Sequence, residues 1–262
     1  MSISVVERAY QNACQCDPRL QGRENISYDD ITTLQLSHVE LSAIPMEILK
    51  YQNLETLYIS HSKIETLPSW LVNLPKLNSL TISNSCVSTI EGLPPYLETL
   101  DLSHNHLKTL PSLCHTKLKR IVLDHNQIEA LPVWPFPKTL TALNLSNNQL
   151  GILPPEVKPT ADLSRLDLSH NKLSTLPKGL HAQKLILNRN VFVEVPHTVR
   201  VMGSLKTLEM GSNQIRSLPE WLNECENLSS IAIAHNRLDA SQVHVDKTIY
   251  VDIRDQGQLL KI

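Results

Sequence analysis

The sequence predicts an α/β solenoid, with a curved parallel β-sheet on the concave face, extended or 3-10 segments on the convex face and a short helical cap at the N-terminus. Three observations point there. One pattern of apolar residues closed by an Asn recurs along most of the 262-residue chain. A Leu-Pro or Val-Pro pair follows most of its copies, and both ends of the chain depart from the pattern as caps must.

Residues 1–30 are the N-terminal cap. Val5, Val6, Ala9, Tyr10 and Ala13 fall near one side of a helix, with Ser4 placed to cap it and Glu7 three residues later. A terminal repeat would otherwise expose raw core and a sheet edge.

Residues 31–240 hold about ten copies of the pattern. The clearest are Leu97-Leu100-Leu102-Asn105-Leu107, Leu118-Ile121-Leu123-Asn126-Ile128, Leu140-Leu143-Leu145-Asn148-Leu150 and Leu163-Leu166-Leu168-Asn171-Leu173. Leu185-Leu187-Asn190-Phe192, Leu205-Leu208-Met210-Asn213-Ile215 and Leu228-Ile231-Ile233-Asn236-Leu238 follow with little damage. Three earlier copies keep the apolar frame and lose the Asn: Ile31-Leu34-Leu36 with Val39, Leu54-Leu57-Ile59 with Ser62, and Leu77-Leu80-Ile82 with Ser85. Successive copies start 19 to 23 residues apart.

The chemistry of the unit accounts for its residues. The fourth and sixth positions share one face of a short strand, and the residue between them points the other way. The Asn stands where the chain leaves the strand, so its amide serves backbone groups left unpaired at that turn. Leu67-Pro68, Leu110-Pro111, Leu131-Pro132, Leu153-Pro154, Leu176-Pro177, Val195-Pro196 and Leu218-Pro219 then hold the return segment extended or 3-10. Trp70 and Trp221 each follow such a proline by two residues, a shared register that predicts packing on the convex side. Trp134, in a less regular setting, is a candidate exposed anchor.

Residues 241–262 are the C-terminal cap strand and tail. Ile249, Val251 and Ile253 alternate with Tyr250, Asp252 and Arg254, which predicts one last strand. The apolar end, residues 256–262, suits packing or a C-terminal translocation signal.

Composition narrows the function classes. Lys plus Arg number 24 against 26 Asp plus Glu, with no long run of one sign, which speaks against nucleic acid or an anionic membrane as partner. No stretch approaches the roughly 18 apolar residues of a membrane span, and the N-terminus has no Sec-type signal. The expected location is therefore cytoplasmic, or the host cytosol after secretion by another route. Cys14, Cys16, Cys86, Cys114 and Cys225 are odd in number and thinly spread, so no disulfide framework is expected. Cys14 and Cys16 lack a second Cys or His pair at ligand spacing. With seven glycines and no phosphate loop, HExxH or GxSxG motif, the chain is expected to be non-enzymatic and to hold no cofactor or metal.

The motif LxxLxLxxNxL followed by Leu-Pro resembles that of leucine-rich-repeat proteins, over about residues 31 to 238. Copies such as Leu97 to Pro111 and Leu118 to Pro132 resemble bacterial leucine-rich-repeat effectors delivered into host cells; they also resemble eukaryotic cytosolic repeat proteins of the Ras-binding type, whose repeats average nearer 23 residues. The expectation is a monomeric protein-interaction module with a protein partner, bound on the concave face. Two roles stay open: a secreted bacterial effector active in virulence, or a resident cytosolic scaffold or inhibitor. Some such effectors carry a ubiquitin-ligase domain with a Cys-x-Asp motif after the repeats; none is expected here, since few residues follow the last copy and Cys14-Gln15-Cys16-Asp17 has neither the spacing nor the position.

The positions between framework leucines nominate the partner-binding residues: Tyr58, Asp101, Arg120, Val122, Asn144, Arg165, Asp167, Lys184 and Ile186. Exposed Val122 and Ile186 among arginines and carboxylates would form the mixed surface that interfaces use. A neighbouring column runs His38, His61, Asn84, His104, His125, Asn147, His170, Arg189, Ser212 and His235. Adjacent imidazoles such as His104 and His125 would stand about 4.8 Å apart, near enough to share a metal. No carboxylate or Cys is counted with them, so the column is read as ordinary to the repeat.

Overall fold

The structure, a computed structural model, describes residues 5–16, 20, 25–37, 40–113, 117–131, 136–155, 162–238 and 250–252. Ser4, His38, Val39, Cys114, Trp134, Ile249, Ile253 and the 256–262 tail, all of which carried expectations, lie outside these residues. The chain separates into two compact units, Met1–Asn126 and Gln127–Ile262.

The first unit opens with helix α1, Val5–Cys16, whose first turn carries Glu7 where the helix dipole favours a negative charge. Val6 and Ala9 are buried. Tyr10 fixes the helix to the following chain: its hydroxyl donates to the Ile26 carbonyl at 2.8 Å, and its ring meets the Tyr28 ring edge-on at 5.3 Å. Tyr28 in turn meets the fully buried Tyr51 at 5.3 Å. Five strands then stack in parallel: β1 Thr33–Ser37, β2 Thr56–Ser60, β4 Ser79–Ser83, β6 Thr99–Asp101 and β7 Arg120–Val122. The short strands β3 Thr66–Leu67 and β5 Thr89–Ile90 pair separately on the return segments.

In the second unit β8 Ala142–Asn144, β9 Leu163–Asp167, β10 Ala182–Ile186, β11 Thr207–Glu209, β12 Ser230–Ala232 and β13 Tyr250–Asp252 pair in parallel, each with the next. Register is maintained copy to copy: Leu143 faces Leu166, Leu166 faces Leu185, Leu185 faces Leu208 and Leu208 faces Ile231. These framework residues are fully buried or nearly so, and those on either side point outward from the core. A one-residue slip would turn the whole apolar row to solvent, which is why the register holds.

Prolines start the return segments as the sequence predicts. Pro45, Pro68, Pro196 and Pro219 each precede a single 3-10 turn, Met46–Lys50, Ser69–Asn73, His197–Val201 and Glu220–Glu224. Trp70 and Trp221 ride on two of these turns, both half-buried, and the Trp221 ring packs 5.6 Å from the His197 ring. Among the described residues no helix is long and apolar enough to cross a membrane. Among the described residues Cys86 and Cys225 are in no disulfide.

Each ladder Asn bridges two repeats. Asn171 Nδ2 donates to the carbonyls of Leu145, at 3.0 Å, and Leu168, at 3.1 Å, while its Oδ1 accepts from the Leu150 amide at 3.0 Å. Asn105, Asn126, Asn190, Asn213 and Asn236 repeat the arrangement. In the early copies Ser62 and Ser85 stand in for it: both are buried, their hydroxyls lie 2.9 Å apart, and Ser85 Oγ donates to the Ser83 carbonyl.

The residue before each ladder position adopts a left-handed backbone. His61, Asn84, His104, His125, Asn147, His170, Arg189, Ser212 and His235 all have φ between 49° and 57°. Asn and His enter this region more readily than most residues, so the column of His and Asn has a backbone cause. The turn lets consecutive amides keep bonding to the next copy, as where the His104 and Asn105 amides donate to the Asp124 and His125 carbonyls at 2.9 and 3.2 Å.

Replacing Asn171 with Ala leaves the buried Leu150 amide without its acceptor, a loss of about 1–3 kcal/mol, while the Leu145 and Leu168 carbonyls keep the Nδ2 donors of Asn148 and Asn190. We expect urea denaturation of Asn171→Ala to show a loss of about 1–3 kcal/mol; a change below about 0.5 kcal/mol, as for a surface substitution, would mean that the bridge adds nothing to stability.

Candidate protein-binding face

The outward-facing residues of each strand lie in columns, because parallel strands in register place equivalent positions side by side. In the first unit the central column runs Gln35, Tyr58, Thr81, Asp101 and Val122. Arg120 stands in the column before it, beside Thr99. Tyr58, Asp101 and Val122 are half-buried and Arg120 is exposed. The Asp101 carboxylate accepts from the Ser103 amide at 2.9 Å, which fixes it at the strand end. Among the described residues no ion pair or side-chain hydrogen bond engages the Arg120 guanidinium, whose fork of donors is open to a planar acceptor.

In the second unit Asn144, Asp167, Ile186 and Glu209 form the central column, with Ala142, Arg165, Lys184 and Thr207 before it. Here the charges are satisfied within the chain. Arg165 Nη2 lies 2.9 Å from Asp167 Oδ2, and Lys184 Nζ lies 2.6 Å from Glu209 Oε1. Asp167 also accepts from the Ser169 amide and hydroxyl through Oδ1. Asn188 Nδ2 donates to Glu209 at 3.1 Å and its Oδ1 accepts from the Gly211 amide at 2.6 Å.

Two sequence expectations are corrected by this arrangement. Asp167 and Ile186 were placed on the exposed surface, yet retain 7% and 5% of their accessibility. The causes are local. Asp167 is held down by Arg165 and Ser169, and Ile186 stands in register between Asp167 and Glu209, the second of which pairs with Lys184 of the same strand as Ile186. Glu209, one strand away from Lys184, joins the face beyond the residues that the sequence nominates, and its acidic letter in the same column is the signal for it. The exposed candidates of this unit are thus Arg165, with Asn144 and Lys184 half-buried beside it.

The histidine column is corrected as well. A carboxylate does accompany His104 and His125: Asp124 Oδ2 lies 2.8 Å from His125 Nδ1 and 3.9 Å from His104 Nε2. The two imidazoles are stacked, 4.0 Å between centroids and 13° between planes. The signal was in the sequence, because the position held by Asp124 is Ser in Ser37, Ser60, Ser83, Ser103, Ser146 and Ser169.

Comparison with known proteins places these features in a wider group. Family profiles described as leucine rich repeat match residues 30–87 and 116–173, and a second one matches 96–116. Among solved structures the chain is similar to a leucine-rich-repeat protein of Leptospira interrogans, with 25% identity and a TM-score of 0.73 over 90% of this chain and 67% of that one. It is similar also to YopM, a leucine-rich effector protein from Yersinia pestis, with 25% identity and a TM-score of 0.71 over 94% of this chain and 64% of that one. A stretch of 93 residues is 29% identical to receptor like protein 28 of Arabidopsis thaliana, covering 32% of this chain and 12% of that protein.

Burial of Ile186 has a measurable consequence. Truncating a buried Ile costs about 2–5 kcal/mol, so Ile186→Ala should lower the urea midpoint markedly. A midpoint equal to that of the intact chain would return Ile186 to the open surface.

Proposed function

Since the chain is a leucine-rich-repeat protein that resembles bacterial leucine-rich-repeat effectors, we propose that it is a non-enzymatic interaction module that captures a partner protein on the outward face of its sheet. The contact residues in this reading are Tyr58, Asp101, Arg120 and Val122 of the first unit and Asn144, Arg165 and Lys184 of the second. The observation that carries it is Arg120, an exposed guanidinium with no acceptor among the described side chains, placed beside Val122 and Asp101. Arginine is enriched where interfaces concentrate their energy, because its planar fork binds carboxylates in two places at once.

A second consideration is that the fold does not require these residues. The inward positions are Leu or Ile in copy after copy, while the central outward column changes from Gln35 to Tyr58, Thr81, Asp101, Val122 and Asn144. Leucine-rich-repeat families are typically binding modules, and nothing in the proposed contact requires a reaction. The finer reading is that of a secreted effector that acts on a host protein as a monomer. It is supported by the likeness to the Yersinia effector, of whose chain this one covers 64%.

Two measurements test the proposal. Arg120→Glu, a change at an exposed side chain, should abolish retention of a partner in affinity capture read by mass spectrometry, with the melting temperature within about 2 °C of the intact chain, as for surface changes of under 0.5 kcal/mol. Identical captured proteins would move the interface elsewhere. A reporter fusion expressed in a bacterial host and found only inside the producing cell would replace the effector role with that of a resident scaffold.

A further inference from the structure

One copy of the repeat carries a carboxylate on the outward side at a position that is Ser, Asn188, Gly211 or Ala234 in the others. Six copies place Ser at the seventh position of the pattern, where the copy beginning at Leu118 has Asp124. This single carboxylate falls beside the stacked pair His104 and His125, and one ligand atom from each of the three lies within 4.8 Å of the others. All three side chains reach solvent: His104 and His125 are exposed and Asp124 is half-buried.

The backbone has already positioned the donors. His104 and His125 occupy left-handed positions with φ of 54° on adjacent copies, just beyond β6 and β7, whose register pairs Asp101 with Val122. The His104 amide donates to the Asp124 carbonyl at 2.9 Å, which ties the two turns together. Only side-chain torsions remain to be set.

Two imidazoles and a carboxylate are a donor set for first-row divalent transition metals, as in sites that leave further positions open. Zinc bonds nitrogen at about 2.0–2.1 Å and carboxylate oxygen at about 2.0–2.2 Å, so donors on one tetrahedral ion stand roughly 3.3 Å apart. The separations of 2.8 Å and 3.9 Å from Asp124 Oδ2 bracket that value. The rings must open from their 13° stack for both lone pairs to converge, a rotation that their exposure permits.

We propose that His104, Asp124 and His125 form a surface site for a divalent transition metal of the zinc class, with the remaining coordination position open to water. This goes beyond the partner-binding reading and stands independently of it. A purely structural role for Asp124, holding the His125 ring through their 2.8 Å contact, predicts no metal uptake.

The test is calorimetric titration of the full chain with Zn²⁺ alone. Asp124→Ser and His125→Asn install residues that other copies carry at the same positions, Ser103 and Asn147, so both variants keep a backbone-compatible side chain. The intact chain should take up one Zn²⁺, and each variant should bind at least tenfold more weakly, with His235→Asn unchanged. Equal binding by all variants, or no saturable uptake by the intact chain, overturns the proposal. X-ray absorption on the zinc-loaded intact chain gives a reading that does not depend on the variants: nitrogen and oxygen neighbours are expected, and a sulfur shell would assign the ion to cysteines instead.

Discussion

The amide side chain that reaches from one repeat into the previous one is the interaction on which the rest of this structure depends. A parallel ladder bonds strands to each other but leaves the chain without partners where it turns out of the sheet and heads for the opposite side. Asn105, Asn126, Asn171, Asn190, Asn213 and Asn236 fill that gap, each joining the end of its own strand to a carbonyl and an amide of the copy before. Leucines supply the apolar burial and keep each row on the core face. The amide contributes direction, since two donors and an acceptor at fixed angles are satisfied only when successive copies stand in one relation.

This division of labour releases the outward face. Inward positions are bound to the core, the ladder position to the amide network, and the position before it to a left-handed turn. What remains is a set of side chains on rigid strands whose identities the fold leaves open, and rigidity is what a recognition surface needs in order to avoid ordering losses on binding. The two units use this freedom differently. In the second, Arg165, Asp167, Lys184 and Glu209 satisfy one another; in the first, Arg120 faces outward beside Val122 and the imidazole pair lies one turn away.

The architecture was legible because its cause is periodic: the same atoms are needed at the same step in every copy, and Leu, Asn and Pro each have a chemistry suited to only one of those places. The left-handed φ along the histidine column is not legible in the sequence, since neither His nor Asn demands it as strongly as Gly would. Site residues were less legible for a different reason. Exposure of Asp167 and Ile186 depends on how far Arg165, Lys184 and Glu209 lean, a matter of side-chain pairing between strands that a column of letters does not carry. Asp124 shows the converse. It is legible as the one carboxylate in a column of mostly serines, but its meaning lies in the neighbouring histidine column, which a single column does not carry.

The most direct test of the amide bridge as the organising interaction is backbone hydrogen exchange at the amides that donate to it: Val87, Leu107, Leu150, Leu173, Phe192 and Ile215. They lie outside the named strands, so nothing in the ladder protects them. We expect each to exchange as slowly as the strand amides of its own unit, opening only with that unit as a whole. Exchange at the rate of ordinary turn amides, with the strands still protected, would mean that the stack holds without its bridges, and the account would fail.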